Sequence, residues 1–181
     1  MFTDTIVAEY TGRPKFANDF YEICKRMLLF YDARCLYESN LKGLFTYFSQ
    51  QGCTYLLAEN PKILKDQDMM RKGNYGNKAY GVHATAEINS YARRLQKDWM
   101  LTVAHTNYQD TDEHGNIITS KLNLQLIRSL GYLEELIAWN SDGNYDRVSA
   151  MGMCMILREE KKQFVDGIMN QNSPTKDIVN N

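Results

Sequence analysis

The sequence predicts an α/β fold in which helices cover a sheet with parallel strands. Two observations carry that expectation. Short β-rich runs alternate with stretches of three-and-four apolar spacing across the first sixty residues. The composition, 44% apolar and 24% charged over 181 residues, is that of an ordinary globular domain. Such alternation favours crossover connections, which place helices on the faces of the sheet.

The elements follow in order. Thr5–Tyr10 is a β-rich run closed by Gly12 and Pro14 and reads as a strand. Phe16, Phe20, Ile23, Met27 and Phe30 form one apolar stripe on a helix of about 15 residues. Arg34–Tyr37 is too short for a helix and reads as a buried strand, ending at Glu38-Ser39-Asn40. A second helix carries Leu41, Leu44, Phe45 and Phe48 on one face, with Gly52 as its stop. Thr54–Ala58 reads as a third strand before Asn60-Pro61.

Residues 61–80 break the pattern. Five cations, Lys62, Lys65, Arg71, Lys72 and Lys78, face two acids, Asp66 and Asp68, leaving a local charge of +3 in a loop or hairpin loosened by Gly73 and Gly76. Thr85 is placed to cap a helix bearing Ile88, Tyr91, Ala92, Leu95 and Trp99. The stretch from His105 to Asn116 is polar and turn-rich, and Leu124 to Trp139 includes a further helical segment. Val148–Leu157 is almost wholly apolar and reads as a buried helix with Gly152 at a close contact; Arg158–Lys162 extends it into solvent. One domain over 1–169 and a flexible tail over 170–181 are expected.

Charge and composition exclude several classes. Lys plus Arg is 21 against 22 for Asp plus Glu, so any nucleic-acid contact must come from a local patch. No apolar run approaches the roughly 20 residues of a membrane span, and the N-terminus does not read as a signal peptide. A cytoplasmic protein without a membrane partner is expected. Cys24, Cys35, Cys53 and Cys154 form no C-x-x-C pair and read as small buried apolar residues.

No glycine is followed by lysine, so a P-loop is excluded; neither a G-x-S-x-G elbow nor an H-E-x-x-H pair occurs. Asp110–Gly115 begins like a calcium loop, but the twelfth position is Lys121 where a bidentate glutamate is required, so it reads as an acidic surface turn. His83, His105 and His114 show no ligand spacing.

Two acids stand out by position. Glu38 lies where a buried run ends and a helix is about to begin; it reads as a solvated or dipole-stabilised carboxylate, or as a group at the ligand-binding edge of a sheet. Asp146 opens the apolar helix and reads as an N-cap, or as a second acid converging with Glu38 on a hard divalent cation. The basic loop reads equally as a solvated segment or as one that follows a phosphate backbone.

Three segments taken together resemble the nuclease domain of the tailed-phage terminase large subunit: Ala8–Pro14, Tyr37–Gly43 and Asn140–Ala150. Leu133–Ile137 and Tyr80–His83 fit the same order. The resemblance implies an RNase H-like mixed sheet flanked by helices, and cleavage of double-stranded DNA during genome packaging by acids around two Mg²⁺ or Mn²⁺ ions. It places Glu38 and Asp146 as metal ligands, Asp142 as a weaker neighbour, and Arg71, Lys72 and Lys78 as DNA contacts. The implied partners are duplex DNA, a terminase ATPase domain on the same or another chain, and the portal protein, in the cytoplasm of an infected bacterium.

The departure from the family lies at the start. Its first catalytic Asp sits on a central strand that precedes the equivalent of Thr5–Tyr10, and Asp4 does not match it. The expected fold therefore lacks the first strands, and the isolated chain is expected to cleave poorly or not at all. A non-catalytic module docking DNA or the portal, and a resolvase- or transposase-like nuclease, are the alternatives.

Overall fold

The structure is a computed structural model and describes residues 4–40, 42–66, 80–104, 110–118, 120–140 and 143–171. Its main elements are helices: α1 (Ala17–Phe30), α2 (Gly43–Gln50), α3 (Lys62–Asp66), α4 (Ala86–Met100), α5 (Leu130–Ala138) and α6 (Asp146–Gln171). Among the described residues the paired strands are β1 (Asp110–Thr111) and β2 (Ile117–Ile118), one short antiparallel hairpin.

Among the described residues the expected RNase H-like mixed sheet does not form. Thr5–Tyr10 enters no ladder, and Thr54–Leu56 coils into a 3-10 turn. Three extended segments lie side by side, but isolated bridges join them: Cys35 to Leu57, Glu38 to Val82, and Glu59 to Tyr80. The reason is visible in the hydrogen bonds. Cys35 donates to Leu56 O at 2.8 Å and accepts from Ala58 N at 2.8 Å; Tyr37 O accepts from Val82 N and Ser39 N donates to Val82 O. Bonding groups on alternate residues of an extended chain point the same way, so 35, 37 and 39 spend their bonds on one edge. Two neighbours share that edge in succession, and neither extends beyond a single bridge.

Helix packing supplies the order that a sheet would have given. α4 and α6 lie against each other, burying Ile88, Tyr91 and Ala92 with Met153 and Ile156. Gly152 makes this approach possible: a Cβ there would stand 3.0 Å from the Ala92 Cβ and 3.2 Å from Gln96 Nε2. Gln96, buried between the helices, accepts from Tyr132 OH at 2.8 Å and donates to Val148 O at 3.2 Å, so its amide is satisfied at both ends. A second cluster joins Trp99, Tyr132, Val148, Met151 and Met155; a third, on the opposite side of the extended segments, joins Phe48, Cys53, Leu56 and Leu57.

The cysteines depart from expectation in part: Cys53 is buried, Cys24 and Cys35 are half-buried, and Cys154 is exposed. Where the sequence predicts a surface turn over Asp110–Gly115, the first two residues form β1 and the rest make the turn of the hairpin. Asp112 accepts from the backbone of His114 and Asn116 and from the Asn116 side chain, which leads the causes holding its carboxyl below the usual range. No helix of the described residues is long and apolar enough to cross a membrane.

Candidate functional site

The site forms where the extended segment ending at Asn40 meets the start of α6. Side chains alternate along an extended chain, so Leu36 and Glu38 share one face and Cys35 and Tyr37 the other. The clusters bear this out: Leu36 packs with Met153 and Ile156 of α6, whereas Cys35 and Tyr37 pack with α1 and α2. Glu38, two residues after Leu36, therefore faces α6, and it meets the charge of Asp146 at that helix's first residue. Glu38 is exposed by area, yet desolvation by the surrounding protein leads the causes that raise its carboxyl above the usual range. Repulsion from Asp146 adds to it.

The segment carrying Glu38 is held from behind. Asn40 accepts from the Ala84 amide at 2.9 Å and returns a longer bond from Nδ2 to Ala84 O at 3.5 Å. Gly81 has φ +72°, and a Cβ there would lie 2.8 Å from the Tyr37 ring and 2.9 Å from Tyr37 O. Only glycine tolerates both the left-handed backbone and that approach.

Asp146 is not the cap of its own helix. Glu135 of α5 takes that role across the turn: its Oε2 accepts from the amides of Arg147 at 2.8 Å and Val148 at 3.2 Å. Glu135 Oε1 also pairs with Arg147 Nη1 at 2.8 Å, and Arg147 Nε reaches Glu9 Oε1 at 2.7 Å. The guanidinium lies over Gly131, where a Cβ would meet it at 2.8 Å. At Glu9, desolvation pulls the carboxyl up, but hydrogen bonds from Ser129, Arg147 and Thr11 together hold it below the usual range. Arg147 is thus committed to Glu9 and Glu135. Asp146 is left with its side chain 69% exposed, and its partner is Arg13, 4.0 Å away and itself 90% exposed.

Of the residues picked out from sequence, Glu38 and Asp146 are linked by charge alone, Asp146 adding to the desolvation that raises the Glu38 carboxyl. Asp142, Arg71, Lys72 and Lys78 lie outside the described residues. No group of three or more His, Cys, Asp or Glu placed to hold a metal occurs among the described residues. Sequence reasoning missed the parts played by Glu9, Glu135, Arg147 and Arg13. Arg147 pairs with groups 12 and 138 residues away, spacings that carry no local signal. No family model, curated protein or solved structure matches this chain.

Proposed function

We propose that the chain is a metal-dependent DNA endonuclease domain of the phage-packaging type, with Glu38 and Asp146 as ligands of Mg²⁺ or Mn²⁺. One observation carries the reading. Glu38 faces α6 and lies within the field of Asp146 at that helix's start, whose amides are already capped by a third carboxylate, Glu135. Neither of the two accepts a hydrogen bond from a described residue, so their oxygens are available to a hard cation.

The charge count agrees with that chemistry. Glu9, Glu38, Glu135 and Asp146 supply four negative charges in this network, and Arg13 and Arg147 supply two positive ones, leaving −2. A divalent ion would neutralise that excess and relieve the Asp146 repulsion that adds to the desolvation raising Glu38. When bound, such an ion supplies an activated water and stabilises the leaving oxygen of a phosphodiester. The chain's own contribution is to hold the two acids in place: Asn40 and Gly81 fix the backbone at Glu38, and Glu135 with Arg147 fixes the turn before Asp146.

The proposed substrate is duplex DNA, with a packaging ATPase and a portal as partners. Nicking of supercoiled plasmid by the purified chain in Mn²⁺ is expected to be slow without the family's first Asp, and Glu38→Gln and Asp146→Asn should each lose it while keeping the parent's circular dichroism. Nicking by the folded variants at the parent's rate would remove both residues from the chemistry.

A further inference from the structure

We infer that Arg13 is a phosphate-holding residue of this site, the group that grips the DNA backbone beside the acid pair. The inference rests on the reading of Glu38 and Asp146 as metal ligands and adds a substrate contact to it.

The two arginines of the network differ in how far they are engaged. Arg147 is spent: Nε and Nη1 bind Glu9 and Glu135, its side chain is 30% exposed, and it is packed flat over Gly131. Arg13 is the opposite case. Its side chain is 90% exposed, and its recorded contact is the 4.0 Å approach of Nη2 to Asp146 Oδ2, too long for a direct hydrogen bond. A cation so placed is held by the field of the acids rather than by fixed bonds.

The backbone beneath it is better fixed than the side chain. Glu9 is tied to Arg147, to Ser129 and to Thr11, and the Tyr10 ring lies 5.9 Å from that of Phe20. Pro14 follows directly and limits the backbone of Arg13 itself. The segment therefore presents an exposed guanidinium from a tethered base, within reach of a group bound at Asp146. A guanidinium presents a planar fork of donors matched to two phosphate oxygens. Once a divalent ion takes the carboxylate, Arg13 loses this partner and its fork is free to turn to a phosphate oxygen. Surface ion pairs of this exposure are weak, so the exchange is easy.

The test separates Arg13 from the site beneath it. Binding of a fluorescent 20-base-pair duplex is measured by anisotropy in Ca²⁺ at a series of KCl concentrations, and Mn²⁺ binding by calorimetry without DNA. Arg13→Ala should weaken duplex binding about five-fold and lower the salt slope by about one. It should leave Mn²⁺ affinity unchanged or tighter, because a competing cation is gone. Arg13→Lys should restore the slope but only part of the affinity, since it keeps the charge and loses the fork. Parent-like duplex affinity and slope in Arg13→Ala, with Mn²⁺ binding intact, would overturn the role of Arg13 and leave the metal reading standing. Parent-like Mn²⁺ affinity in both Glu38→Gln and Asp146→Asn would instead overturn the metal reading, and this inference with it.

Discussion

Helices α1 and α4 look alike in sequence and differ in what they bury. Both carry an apolar stripe at three-and-four spacing over about four turns. α4 buries Ile88, Tyr91, Ala92, Gln96 and Trp99; α1 buries none of its residues, and Phe30 at its end is 81% exposed. The difference lies in the neighbour. α6 lies against α4 along its length, and Gly152 removes the side chain that would hold the two apart. α1 meets α2 and the 3-10 turn with half-buried side chains only, Tyr21, Cys24 and Leu28 packing against the Phe48 cluster and Tyr47 OH donating to Glu22 at 2.7 Å. A stripe tells which face a helix would bury; the rest of the chain decides whether anything meets it.

The largest expected effect sharpens that contrast. Ile156→Ala, at a fully buried position of α6, should cost about 2–5 kcal/mol, whereas Phe30→Ala on α1 should change stability by less than about 0.5 kcal/mol. Chemical denaturation of both variants measures it, and equal losses would mean that α1 is buried in solution. Next in size is Gly81→Ala. Strain at a left-handed position together with the Tyr37 contact should cost about 1–3 kcal/mol. Because that glycine backs the segment holding Glu38, Mn²⁺ affinity should fall along with the melting temperature.

What was legible in the sequence follows the same division. α1 was readable from Phe16 to Phe30, α2 from Leu44 and Phe48 with its stop at Gly52, where φ is +65°. The α4 start was readable from Thr85, whose hydroxyl accepts from Ile88 N at 3.2 Å. Helices close their bonds locally, so local spacing announces them. Strands close theirs with distant segments. The β-rich runs at Arg34–Tyr37 and Thr54–Ala58 look like strands by composition, but their neighbours offer single bridges. Thr54–Leu56 instead turns, and delivers Leu56 and Leu57 to the cluster around Phe48.

The site shows the same limit. Glu38 and Asp146 were singled out because each ends or begins an element expected from the sequence. The cap that frees Asp146 comes from Glu135, and no spacing rule would have displaced Asp146 from its expected role as N-cap. Glu160 repeats the device, its carboxylate accepting from the amides of Lys62 and Ile63 at the start of α3 from nearly a hundred residues away. Both are tertiary caps, decided by packing.

The smallest stability change concerns the centre of the account. Glu38 holds its proton more tightly folded than unfolded, so its contribution to stability is present below the ordinary carboxylate range and fades as pH rises through the raised value. At neutral pH the charged group opposes folding, and Glu38→Gln should raise the melting temperature by no more than about 2 °C, given its exposure. At pH 4 that gain should vanish.

The most direct measurement is thermal unfolding of the parent and of Glu38→Gln at neutral pH, each with and without Mn²⁺. If Glu38 and Asp146 hold the ion, saturating Mn²⁺ should raise the parent's melting temperature by about 5–10 °C and leave Glu38→Gln, already slightly more stable, unmoved. An equal rise in both proteins, or no rise in the parent, would contradict the claim that these two carboxylates form a metal site.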